Sequence, residues 1–232
     1  MAGCAAPPRR CSKARRCWRP RATALLQARP YPRHFLRFET IGFAVPVWGG
    51  TRPYQVLPFQ WNCDTVAGPG APPRPQGFLA GPSGDPRRAF AQSLLQALGN
   101  NDGPVLAYNA GFERNRLREL AGEWEDLSPG LLALADGIAD LFQIARGHYY
   151  HPAMAGSWSF KSVFAALAPE LGAHRFDCNG LATPLDAFAR SLQPDLPDDK
   201  RQQLRTALQA QAHGQRQTAA LRRMAELFEH PP

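Results

Sequence analysis

The stretch "GPVLAYNAGFERNRLRELAGE", Gly103–Glu123, decides the fold class. Val105, Leu106 and Ala107 form a short buried strand. Asn109 stands at its end, and a helix starts near Gly111 that turns Phe112, Leu117 and Leu120 inward. Strand, tight turn and helix in that order make an α/β layer. Ligands of such layers gather at strand ends. Asn109 and Glu113 lie there, one helical turn apart.

Outward from this unit the same logic continues. "HFLRFE" (34–39) reads as a core strand, and the Thr40–Val66 segment, punctuated at Gly49-Gly50 and Pro53, ends in a second. Ala67–Gly77 reads as a Pro/Gly loop, and "FLA" after it is too short to assign. "DPRRAFAQSLLQALG" is a helix with Asp85 as N-cap, Pro86 at N1 and Gly99 as C-cap. Asp136–Pro152 reads as helix and turn, and Ser157–Leu171 as an amphipathic helix capped by Ser157. Residues 184–192, and 199 to about 229 with a break near Gly214, complete a helical C-terminal part.

Charge is unevenly distributed. Of 27 basic residues, nine fall in residues 1–34, which hold no acid; the other 18 face all 19 acids. The body is near neutral, and the basicity belongs to a leader over residues 1–30 that reads as disordered and separable. A basic tail attracts phosphate without sequence preference. No apolar run approaches a membrane span of about 18 residues. The five cysteines include no C-x-x-C, so free thiols in a reducing cytoplasm are expected rather than a zinc site.

Three stretches carry a resemblance: "YPRHFLRFETIGFAVPVWGGTRPYQVLPFQW" (31–61), "VLAYNAGFERNRLRELA" (105–121) and "DLFQIARGHYYHPAMAGSWSFKSVFAALAPEL" (140–171). They resemble the bacterial family called domain of unknown function 2779, which is similar to DEDD-type 3′–5′ exonucleases. The resemblance implies a ribonuclease H-like α/β domain over residues 31–230, a mixed sheet flanked by helices with a helical C-terminal part. It implies nucleic acid as substrate, and Mg²⁺ or Mn²⁺ as the cofactor of active relatives. The first motif of such nucleases is Asp-x-Glu on the first strand. Period-2 alternation places both carboxylates on one face, where they hold a pair of divalent cations. Here Glu39 keeps the second carboxylate and Arg37 stands in place of the first. A guanidinium stays charged and cannot ligate a metal. By the same resemblance Glu113 in "YNAGFE" is the acid of the second motif, a catalytic and metal-binding candidate beside Glu39. Otherwise it is an acid favoured by the helix dipole. The last motif, Tyr-x-x-x-Asp, falls on "HGQRQTAAL", with His213 as a candidate general base and Gln217 at the acid position, one turn apart on one face.

With two of four carboxylates replaced, the resemblance implies an exonuclease-related domain impaired in cleavage. The alternatives are a non-catalytic nucleic-acid-binding or protein-interaction module, a decayed gene, or an active enzyme in which Asp64 or Asp177 supplies the lost acid. Arg37 is expected to pair with Glu39 or Glu113. Substrate-binding candidates are Arg52 and Tyr54 in "GTRPY", Asn109, and Ser159 with Lys161 in "GSWSFK"; each is equally a packed loop or a cap. Asp140 caps its helix or reaches the rim of the site, and the two histidines of "HYYHP" form a rim or cap rather than a metal pair.

Overall fold

The computed structural model describes residues 17–18, 21–100, 102–167, 169, 183–213 and 216–230. Its centre is β2 (Arg33–Ile41), whose Phe35, Leu36, Phe38 and Ile41 are buried. A strand with apolar residues on both faces belongs in the middle of a sheet. It pairs antiparallel with β3 (Leu57–Val66) and parallel with β5 (Val105–Ala107). The five-stranded order is β4-β3-β2-β5-β6, with β4 at Arg74–Leu79 and β6 at Ile138–Asp140.

Helices cover both faces. Leu36 and Phe38 of β2 and Trp61 and Cys63 of β3 pack with α2 (Arg87–Leu98), α3 (Gly111–Glu123) and α4 (Ser128–Gly137). Phe35, Leu106 and Ala139 pack on the opposite side with α1 (Arg21–Gln27), α5 (Leu141–His148), α6 (Phe160–Leu167) and α9 (Arg216–Glu229). At the far end of the sheet, α7 (Pro184–Ser191) and α8 (Asp198–His213) close over Ile41, Leu57 and Phe59. The pairing of β2 with β3 shifts at Glu39/Thr40: Glu39 faces Gln60 and Thr40 faces Pro58, leaving Phe59 as the extra residue. The bulge sends Phe59 away from the cluster of Trp61 and Cys63 to stack on Phe188 of α7, with centroids 4.1 Å apart.

Four expectations change. The segment Ala67–Gly77 is not all loop, since β4 starts at Arg74. Pro75 and Gly77 mask a strand that is mostly exposed and lies at the sheet's edge, where a missing N–H is tolerated. Asp136–Pro152 is not one helix and turn, because β6 interrupts it with three residues, Ile-Ala-Asp, too few to set a period. The helix in Ser157–Leu171 begins at Phe160, and Ser159 rather than Ser157 accepts at its start, from Ser162 N–H at 3.2 Å. The leader expected over residues 1–30 lies largely outside the described residues, but its last part is built into the body. Ala22 and Leu26 of α1 are fully buried, Thr23 Oγ1 donates to Phe228 O at 2.9 Å, and Arg33 Nη2 donates to Leu26 O at 2.9 Å. Cys17–Trp18 forms β1, paired antiparallel with β7 (Tyr149–Tyr150).

One close approach fixes the centre of the sheet. A Cβ on Gly103 would lie 1.7 Å from the backbone oxygen of Pro32, so only glycine lets Pro104 accept from His34 N–H at 3.1 Å and start the β2–β5 ladder.

Candidate functional site at the carboxyl ends of the parallel strands

The parallel strands β5 and β6 end one residue past the level of Phe35, and β2 runs on beyond them to Ile41. Glu39 lies near the end of β2, Asn109 two residues beyond β5, and Asp140 is the last residue of β6. Because β5 is only three residues long, α3 starts at Gly111 and its first turn drives Glu113 down against β2. Glu113 is fully buried, and neither carboxylate oxygen accepts a hydrogen bond of ordinary geometry. Its nearest ionic neighbour is Arg37, with Nη1 3.6 Å from Oε1.

Arg37 is the hub. Its side chain is 30% exposed, so it bridges the buried carboxylate and the solvent. Arg37 Nε donates to Gln217 Oε1 at 2.9 Å, and Gln217 Nε2 donates to Glu39 Oε1 at 3.1 Å. One amide therefore serves both partners, and only one orientation of it can do so, since oxygen must face the guanidinium and nitrogen the carboxylate. The expected pairing of Arg37 is met by Glu113 directly and by Glu39 through Gln217. The ring of Phe160, first residue of α6, lies 5.9 Å from the guanidinium carbon and 5.4 Å from Tyr108.

Burial dominates the electrostatics. It pushes Glu113 up from the ordinary carboxylate range to about 7, although Arg37 pulls the other way; the nearby backbone amides of Glu113 and Phe38 also pull it down, while Asp140 adds to the rise. Glu39 is raised by burial as well, opposed by Arg37 and by the Gln217 hydrogen bond.

A pair of divalent cations does not fit this donor set. The guanidinium stands between Glu39 and Glu113, within reach of both, and the position nearest Glu39 on α9 offers an amide. A fixed cation there repels metals, and a neutral amide is a poor substitute for a carboxylate. Among the described residues no three acidic, histidine or cysteine side chains are placed to share an ion.

The other candidates divide. Asn109 is at the site, exposed, in a left-handed turn at φ 61°. Its N–H donates to Asp140 Oδ1 at 2.9 Å, and the same oxygen caps α5 by accepting from Phe142 N–H at 2.9 Å. Ser159 and Lys161 are exposed on either side of Phe160, and the Ser159 hydroxyl is engaged with Ser162 at the start of α6. His213 and Gln217 do not share a helical turn as expected. His213 ends α8 while Gln217 belongs to α9, and the His213 side chain lies outside the described residues. Asp64 does not replace the lost acid. It sits opposite Phe35 on β3, fully buried, and Arg222 Nε of α9 donates to its Oδ2 at 2.8 Å. Asp177 lies outside the described residues. "HYYHP" is structural in part: Tyr149 is buried near Phe228, and His151 Nδ1 accepts from Ala153 N–H at 3.1 Å. Arg52 and Tyr54 are exposed on the loop that joins β2 to β3.

Sequence reasoning missed Phe160, although both of its neighbours were singled out. It also missed Gln60 and Asn62, which lie opposite Glu39 and Arg37 on β3. The register, once known, places them under the site; before that, nothing ties their numbers to 39 and 37.

The family model for Domain of unknown function (DUF2779) matches residues 34–159. The chain belongs to this family. The matched span carries Arg37, Glu39, Glu113 and Asp140; Phe160 and Gln217 lie beyond it. No curated protein matches the chain, and no solved structure does. No helix among the described residues is long and apolar enough to cross a membrane.

Proposed function

We propose that this chain is a ribonuclease H-like domain related to DEDD-type 3′–5′ exonucleases, which engages nucleic acid and has lost metal-dependent cleavage. The observation that carries the reading is the linked chain Glu113–Arg37–Gln217–Glu39. It links the four positions that the motifs of such nucleases assign to the metal cage, and a guanidinium stands among them where cations would be held. The mixed sheet with helices on both faces, and the gathering of these residues at the ends of the parallel strands, support the same reading. Two-metal cleavage needs cations to activate water and stabilise the leaving oxygen. Arg37 supplies charge at that place but no bound water.

The test is degradation of an end-labelled single-stranded oligonucleotide by the full chain with Mg²⁺ or Mn²⁺, with and without EDTA. No EDTA-sensitive shortening is expected, while the strand is retained in a gel-shift assay. Trimming that EDTA abolishes would overturn the loss of cleavage. Absence of any retention would overturn the engagement of nucleic acid and favour a protein-interaction module.

A further inference from the structure

The loop from Gly42 to Val56 joins β2 to β3 without a helix or strand of its own. A connection of this length is uncommon in a compact domain and is usually functional when it is folded. It is folded. Tyr54 N–H donates to Phe43 O at 2.7 Å, Thr51 N–H and Oγ1 both donate to Trp48 O, and Arg52 N–H donates to Gln55 Oε1 at 2.9 Å. Phe43 and Trp48 meet edge to face at 5.7 Å and pack on the core. Yet the anchored backbone turns apolar side chains outward: Val45 is 78% exposed, Val47 56% and Tyr54 75%. Tyr54 also holds a left-handed φ of 56°, unusual for a bulky residue.

We propose that this loop is a binding ridge for single-stranded nucleic acid, with Tyr54 stacking one base and Arg52 holding the neighbouring phosphate. The proposal rests on the reading of the domain as one that engages nucleic acid, and it names the surface that does so. Three features select this occupant. From Thr40 to Cys63 the sequence holds no acid, and Arg52 is its single charged residue, so the ridge suits a polyanion. The loop leaves β2 three residues after Glu39, in the direction in which β5 and β6 lead to Asn109, Glu113 and Asp140, so it emerges at the candidate site's end of the sheet. Finally, one tyrosine and two valines offer far less than the roughly 800 Å² per partner that a stable protein interface buries. A base needs only one ring face, and stacking on an aromatic side chain tolerates any base. The ordering of the loop is already complete in the free protein, which lowers the cost of binding.

The experiment is fluorescence anisotropy of a labelled single-stranded oligonucleotide and of its abasic counterpart. It uses the full chain at high salt, where counterion release by basic segments is suppressed. Tyr54→Asn keeps a residue that accepts the left-handed backbone and removes the ring, and thermal melting controls for folding. The expected result is a loss of about tenfold in affinity for the normal strand, within the range of one base–aromatic stack. Tyr54→Phe should retain affinity, and the abasic strand should not distinguish Tyr54→Asn from the unmodified chain. Unchanged affinity of a folded Tyr54→Asn protein, or an equal loss on the abasic strand, would overturn the ridge while leaving nucleic-acid engagement standing. No binding by the unmodified chain at either low or high salt would overturn both. A dimer in sedimentation that Val45→Asp abolishes would assign the ridge to a second copy and overturn the proposal.

Discussion

Glu113 is a buried acid whose ionisation the site opposes. Its pKa is raised to about 7 in the folded protein, from an ordinary value of 4.5. A raised folded pKa means that the native state binds the proton more tightly than the unfolded chain does. Stability from this group is therefore complete below about pH 4.5 and is lost as pH rises through about 7. At 1.36 kcal/mol per pKa unit, the loss is roughly 3 kcal/mol. Glu39, raised by burial, acts with the same sign. Urea titrations at pH 5 and pH 8 should show a smaller pH effect in Glu113→Gln than in the unmodified chain. An identical pH effect in the two proteins would mean that Glu113 ionises normally. Arg37→Leu removes the cation that pulls Glu113 down. It should move the midpoint of the stability loss to higher pH, and a midpoint at or below the original would sink the assignment of Arg37 as its partner.

At the scale of elements, two contacts hold the strand ends that form the site. Asp140 Oδ1 accepts from both Asn109 N–H and Phe142 N–H, so it caps α5 and ties the turn after β5 to β6. Asp140→Ala should cost about 1–2 kcal/mol in urea unfolding, the value of a lost N-cap, and Asp140→Asn less. Equal stability of all three proteins would deny the tie. Gly103→Ala places a carbon against the Pro32 oxygen, which belongs to backbone and cannot swing away. The expected result is a loss above about 4 kcal/mol or failure to fold, both visible by circular dichroism. Most of these elements were legible in the sequence because period and punctuation agree, as in β2, β3, α2 and the β5–α3 unit. β4 and β6 were not. The first carries Pro75 and Gly77 at an exposed edge, and the second is three residues between helices. The site was half legible. Arg37 and Glu39 share a face by alternation, and Glu113 follows a strand end. Phe160 and the Arg222 partner of Asp64 depend on packing of helices distant in sequence, which no local pattern records.

At the scale of the whole molecule, the question is where the folded body begins. A separable leader through residue 30 would leave Leu26 without consequence. In the structure Leu26 is fully buried among α5 and α9 side chains. Leu26→Ala should therefore cost about 2–5 kcal/mol, as for a core leucine, and no change in urea midpoint would restore the leader boundary. On the proposed reading, the body's near neutrality and its loop without acids assign any nucleic-acid affinity of the body to particular surfaces rather than to overall charge. The central claim, that Arg37 and Gln217 fill the place of a metal cage, is tested most directly by calorimetric Mn²⁺ titration of the intact chain. The comparison is with Arg37→Asp/Gln217→Asp, both proteins shown to be folded. The account predicts no saturable site in the unmodified protein and a saturable site in the double variant, with either single change giving less because two cations need all the carboxylates together. Saturable Mn²⁺ binding by the unmodified chain, lost on Glu113→Gln, would contradict it.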